Sequence, residues 1–229
     1  MKVAVSWSGG KESNLACFKA MESHYEVSLL VTFLWETSPL LHHPLELMEL
    51  QSKALAVPYI KMLVKPPHFE GYKKVLLNLV EKYGIEGVVT GDVYVTDEYH
   101  GDWMKKVCDE VNLKLIRPLW AAPPRNILSE LVSRGFKAMF TSVKNTWFSE
   151  DWLGRVLDDA CISELMELEK KFGIDPCGER GEYHTMVIDA PMFKEAIEIL
   201  EFKKEMLGSS YILKPVRFSL KPKAMHRPI

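Results

Sequence analysis

The 229-residue sequence carries 29 Lys and Arg against 31 Asp and Glu, a formal net charge of −2, with 47% apolar and 26% charged residues. That length suits one large domain or two small ones with a sizeable core, and that charge excludes a protein whose whole surface binds nucleic acid, while leaving room for a local basic patch. No apolar run approaches the roughly 18 residues that would span a bilayer, and no basic segment with an apolar stretch precedes the first strand, so the sequence reads as a cytoplasmic protein with no membrane partner.

The chain opens on a short apolar run, Val3–Val5, followed by Ser6-Trp7-Ser8-Gly9-Gly10-Lys11-Glu12-Ser13 and then by Leu15, Phe18 and Met21 at helical spacing. That is strand, glycine turn, helix. Paired glycines let a backbone turn tightly and approach a ligand closely, and a helix start aims unpaired N–H groups and a positive dipole end at the turn. A phosphate is the natural occupant, with Lys11 adding charge and the hydroxyls of Ser6, Ser8 and Ser13 adding donors. The loop is too short for a Walker loop and lacks the dinucleotide fingerprint. An ordinary Gly-rich turn is the alternative; the flanking serines and the following lysine favour nucleotide binding.

Further along, apolar runs at Val27–Leu34, Tyr59–Val64, Gly87–Thr90 and Leu113–Ile116 alternate with helical patterns at Pro44–Ala56, at Val75 to Tyr83 and at Met104 to Val111. Such alternation predicts a doubly wound parallel sheet flanked by helices. Open sheets of this kind bind ligands at the carboxyl ends of their strands, which places Gly91 and Asp92, just past the fourth strand, beside the opening loop. At Ala121-Ala122-Pro123-Pro124 the texture becomes that of a connection. Beyond it the pattern gives a helix at Ile127–Val132, a strand at Ala138–Val143, a helix near Ile162–Phe172, a Gly-rich turn, a strand at Met186–Ile188 and a late pair of extended runs, of which Ala196–Met206 also fits a helix. The expected organisation is a nucleotide-binding domain over residues 1–120 and a smaller α+β domain over 121–229.

Residues 178–185 read Gly-Glu-Arg-Gly-Glu-Tyr-His-Thr. Two carboxylates three apart, bracketed by glycines and entering a strand, suit coordination of Mg²⁺ or orientation of an ammonium or amide by Glu179 and Glu182; a charged surface turn is the competing reading. The four cysteines, Cys17, Cys108, Cys161 and Cys177, are scattered with no C-x-x-C pair, which argues against a zinc site or a disulfide framework. Cys177 reads as a structural thiol, Trp7 and Trp35 as core aromatics that adenine stacking would compete for, and His42-His43 as a solvated or substrate-edge pair.

The opening loop resembles the SGGxDS loop of the pyrophosphate-loop ATP pyrophosphatases, which split ATP into AMP and pyrophosphate, with Glu12 in place of the usual Asp. Joined to the G-E-x-G-E-[YF]-x-T pattern at 178–185, it resembles the diphthine–ammonia ligase family over the length of the chain; Pro118-Leu119-Trp120, Trp152-Leu153-Gly154-Arg155 and Ile188–Phe193 fit as well. The resemblance implies a Rossmann-like ATP domain, ATP and Mg²⁺ as cofactors, and amidation. A carboxylate attacks the α-phosphate of ATP, and ammonia then displaces AMP. It implies catalytic roles for Lys11, Glu179, Glu182 and His184, and a substrate side formed by Tyr99, His100, Gly181, Tyr183 and Thr185. The acceptor it implies is diphthine on elongation factor two, a protein partner, with ammonium as the second substrate and homo-oligomer formation left open.

Three positions depart from the diphthine pattern. Arg180 and His184 stand where E-G-G-E-[FY]-E-T has Gly and Glu, and Trp103 stands where the helix start after the fourth strand has Arg. Exchanging Glu for His removes a fixed negative charge, and exchanging Arg for Trp removes a bidentate carboxylate partner. His-containing versions of the motif resemble a sister branch linked with cobalamin salvage. Two further alternatives are a transfer-RNA-modifying relative and a non-catalytic ATP sensor. The first calls for reactive cysteine pairs and a basic module that are not visible, and the second has no need of a second carboxylate-lined segment.

Overall fold

The computed structural model describes residues 1–35, 44–94 and 102–223. Five strands, β1 (Lys2–Ser6), β2 (Glu26–Trp35), β3 (Tyr59–Val64), β4 (Gly87–Val89) and β5 (Lys114–Ile116), form a parallel sheet in the order β3-β2-β1-β4-β5. Helices α1 (Lys11–Glu22), α2 (Leu45–Leu55), α3 (His68–Tyr83) and α4 (Trp103–Glu110) supply the crossovers. The order reverses at β1, between β2 and β4, and such a switch point opens a crevice at the carboxyl ends of the strands. Both the opening loop, after β1, and Gly91-Asp92, after β4, stand at that crevice.

Strand periodicity explains the layering. Val3, Val5 and Leu30 face α1, α2 and the second half of the chain, while Ala4, Leu29, Val31 and Phe33 face α3 and α4. Buried on both faces, these strands read as continuous apolar runs, as parallel strands do. α3 ends on Gly84, whose φ of +64 makes the left-handed cap that favours glycine.

The second half contributes α5 (Pro124–Ser133), α6 (Asp159–Phe172), a 3-10 turn at Glu150–Trp152 and an antiparallel sheet of β6 (Lys137–Lys144), β7 (Tyr183–Asp189), β8 (Glu195–Leu207) and β9 (Ser210–Pro222), in the order β7-β6-β9-β8. The segment that also fitted a helix, 196–206, is strand. It pairs with β9 along its length, with bulges between Ile199 and Phe202. The architecture is therefore the expected parallel α/β sheet with a smaller antiparallel sheet beside it. Among the described residues no helix is long and apolar enough to cross a membrane.

One hydrophobic core runs through both sheets, joining Val3, Trp7 and Leu15 to Phe140, Tyr183 and Met186. Polar contacts reinforce the seam: Val187 N donates to Gly9 O at 3.0 Å, Lys194 N to Ala54 O at 2.7 Å, and Lys19 pairs with Glu130 at 2.7 Å. β7 thus lies directly against the opening loop. The fold brings the two motifs of the sequence to one place.

Candidate functional site

The site is a pocket of about 380 Å³ walled by the opening loop (Ser6, Ser8, Gly10, Lys11, Glu12, Ser13), by Gly91 and Asp92, and by the segment from Cys177 to Thr185. Gly9 has a φ of +74, and a Cβ there would stand 2.7 Å from Gln51 Oε1 and from Met186 Cε. Gly91 passes so close to α1 that a Cβ would lie 2.8 Å from the Glu12 carbonyl carbon and 2.9 Å from Ser13 N. Both glycines are set by close approach. The loop hydroxyls bond among themselves, Ser8 Oγ donating to Ser13 Oγ at 3.1 Å and Ser13 Oγ to Gly10 O at 3.1 Å.

Lys11 is 2% exposed. Its ammonium donates to Cys177 O at 2.6 Å, pairs with Glu12 Oε1 at 2.6 Å and stands 4.4 Å from the centre of the Tyr183 ring. Burial, the largest single effect, would by itself lower its pKa; Glu12, Tyr183 and Cys177 together outweigh it and hold the ammonium well above the ordinary lysine value. The Lys11 backbone N–H donates to Thr185 Oγ1 at 3.3 Å. The lysine is thus a bridge between the two halves as well as a charge at the pocket wall.

Glu182 is placed differently from a free ligand. It is 2% exposed, and its oxygens accept from Asp175 N at 2.8 Å and Arg180 N at 3.0 Å. It shapes the turn that presents Glu179, whose side chain does line the pocket. Burial, and then the nearby Glu12 carboxylate against the pull of Lys11, raises the Glu179 pKa to about 8. Asp92 is also raised, chiefly by burial, opposed by the Thr90 hydroxyl that donates to it at 2.8 Å and by Arg117. Tyr183 is buried, its hydroxyl donating to Pro176 O at 2.6 Å. Gly181, His184 and Thr185 line the pocket beside it.

Other expectations fall elsewhere. Trp7 is 1% exposed and packs in the core, and Trp35 joins an aromatic cluster with His68, Tyr72 and Trp103. The Cys177 thiol is buried against Pro124 O, and burial holds its pKa far above the thiol range despite Lys11, the setting of a structural thiol. His42, His43, Tyr99 and His100 lie outside the described residues. Sequence reasoning missed Asp175, which accepts from Cys177 N at 2.7 Å and from the Tyr94 hydroxyl. It also missed Gln51, a polar residue in the apolar stripe Leu47, Met48, Ala54, Leu55 of α2; that break in the stripe is the signal that marks it.

Among the described residues no three His, Cys, Asp or Glu side chains form a metal cage. A phosphate-bound Mg²⁺ needs only one or two carboxylates. Glu12 Oε1 is buried with no hydrogen-bond partner beyond its ion pair with Lys11, and Asp92 lines the same pocket. This surplus of hard oxygen donors around the pocket fits a divalent cation arriving with a polyphosphate.

Family models described as the diphthamide synthase N-terminal domain and C-terminal domain match residues 1–115 and 123–217. Diphthine–ammonia ligase from Homo sapiens is 29% identical over 251 residues, covering 95% of this chain and 90% of that protein, and the Mus musculus protein is 28% identical with the same coverage. The Schizosaccharomyces pombe protein of that name is 33% identical over 138 residues, 60% of this chain and 22% of its own length. A solved structure described as a predicted subunit of tRNA methyltransferase from Methanocaldococcus jannaschii overlaps 83% of this chain and 98% of its own at 19% identity and a TM-score of 0.48, too distant a likeness to bear on function.

Two outcomes follow from these partners. Lys11→Met strands the Glu12 carboxylate and the Cys177 carbonyl, and a urea titration will show a loss of about 3 kcal/mol, typical of breaking a buried pair from one side. Glu179, with a folded pKa near 8 against 4.5 unfolded, contributes stability that is full below pH 4.5 and is lost as pH rises through 8. In metal-free buffer Glu179→Gln will therefore melt above wild type at pH 8, with the gap closing below about pH 5.

Proposed function

The chain belongs to the diphthamide synthase family and is an enzyme of the ATP-dependent ligase type; from that premise we propose that it activates a carboxylate as its adenylate, releasing pyrophosphate, and joins ammonia to it, releasing AMP. The observation that carries the proposal is that the phosphate loop and the Gly178–Thr185 segment wall one pocket, with Lys11 bonded across 166 positions to Cys177. We assign ATP to residues 1–120 and the acceptor side to residues 121–229. The acceptor is diphthine carried on elongation factor two.

The residues divide the work. The loop N–H groups and the start of α1 receive the β- and γ-phosphates, and the fixed positive charge at Lys11 offsets the negative charge that gathers on pyrophosphate as it leaves. Glu12 and Asp92 would hold a Mg²⁺ brought in with the nucleotide, and the ion would supply neutralisation of the phosphate oxygens. Glu179 attracts ammonium and takes its proton. A carboxyl whose pKa sits near 8 is a stronger base, once ionised, than one in solvent. The free amine lone pair then attacks the acyl carbon, and AMP departs. His184 and Thr185 stand where the acceptor enters.

A second reading is favoured by one observation: His184, not Glu, lines the pocket at the acceptor side. The same chemistry would then serve a different carboxylic acid, of the kind found in cobalamin salvage. Incubating the protein with Mg-ATP, ammonium and each acceptor, and following AMP and pyrophosphate, decides between them. AMP formed with diphthine-bearing elongation factor supports the first reading; AMP formed with a corrinoid acid alone supports the second. Release of ADP, or no turnover with any acceptor, overturns amidation. With the right acceptor at saturating ammonium, kcat will rise with pH through an inflection near 8, and Glu179→Gln will lower it by about a hundredfold and flatten the profile.

A further inference from the structure

We propose that Gln51, in the middle of α2 and part of neither motif, is a positioning residue that aims the Gly10 N–H at the pyrophosphate portion of ATP. The inference rests on the reading of the loop as the ATP site. Gln51 is 0% exposed, and a primary amide is costly to bury unless its bonds are made. Here they are. Nε2 donates to Gly9 O at 2.8 Å and to Val187 O at 2.8 Å, and Oε1 accepts from Trp7 Nε1 at 3.0 Å. An indole N–H can only donate, so Trp7 dictates which end of the amide is oxygen and leaves the NH₂ for the two carbonyls.

Gly9 O is the focus of this arrangement. Besides Gln51 it accepts from Val187 N at 3.0 Å and from Asn14 Nδ2 at 3.1 Å. Three donors draw that carbonyl away from the pocket. In a trans peptide the carbonyl and the next N–H point in opposite directions, so drawing the Gly9 carbonyl back turns the Gly10 N–H outward. There its acceptor is the Ser8 hydroxyl at a long 3.3 Å, and both Ser8 and Gly10 line the pocket. A phosphate oxygen is a far stronger acceptor for the same N–H. Packing alone does not call for a glutamine here, because its neighbours in the stripe are Leu47, Met48, Ala54 and Leu55. A leucine or methionine would continue that face. The amide is used on the phosphate loop and on β7 together, which ties the aim of the N–H to the seating of the second motif.

The test is Gln51→Met, which keeps length and volume and removes the donors. Calorimetry on wild type and variant, with pyrophosphate, Mg-ATP and AMP as titrants, is paired with thermal unfolding. Pyrophosphate and ATP are expected to weaken about tenfold, the effect of losing one aimed hydrogen bond to a charged group, while AMP binding holds. Unchanged pyrophosphate affinity in the folded variant, or equal losses for pyrophosphate and AMP, would overturn the inference. Should Gln51→Met not fold, Trp7→Phe keeps the amide donors but frees the amide to turn. A smaller loss confined to pyrophosphate and ATP supports the proposal, and equal losses or none overturn it. A wild-type protein that binds neither ATP nor pyrophosphate would overturn the reading of the loop itself, and the inference with it.

Discussion

An ammonium buried in the middle of a protein is tolerated only if fixed partners replace its water. Lys11 finds them on both sides of a seam: Glu12 from its own helix, Cys177 O and the Tyr183 ring from the other half. Separating the halves would strip the lysine of two of these partners at once. The charge therefore locks the loop against the second motif. Carboxylates gather around the same pocket. Burial first, and then the nearby Glu12 and Asp92 carboxylates, raise the Glu179 pKa to about 8, so that Glu179 holds its proton at neutral pH.

Much of this was legible in the sequence because the signals were local. Val3–Val5 and Val27–Leu34 are apolar without alternation, as strands buried on both faces must be. The Ser-Gly-Gly-Lys turn after β1 was legible through residue types that close backbone approach demands. The late hairpin was harder. The bulges between Ile199 and Phe202 break the two-residue period of β8, and an exposed edge strand has few core positions to reveal it. A helix fitted those residues equally well until their partner, β9, was known.

The parts of the site that stayed hidden depend on tertiary contacts. Glu182 and Glu179 look alike in sequence, yet two backbone N–H groups occupy the first and leave the second facing the pocket. Lys11 reads as a phosphate charge, and its role as a strut emerges only when Cys177, distant in sequence, arrives beside it. Asp175 and Gln51 have no motif at all. Gln51 betrays itself just once, as a polar residue in the apolar stripe of α2, and a stripe cannot say which carbonyl the amide will meet.

The shared core has a consequence for how the molecule is assembled. Trp7, Leu15, Phe140 and Met186 belong to one continuous apolar body, so the first 120 residues made alone would leave the inner face of α1 and the loop against water. Nascent chain emerging in order would hold that face unpaired until β6 and β7 are synthesised. The opening loop is thus finished late, by strands from the second half of the chain, and the pocket is completed in the same cooperative step that joins the two sheets.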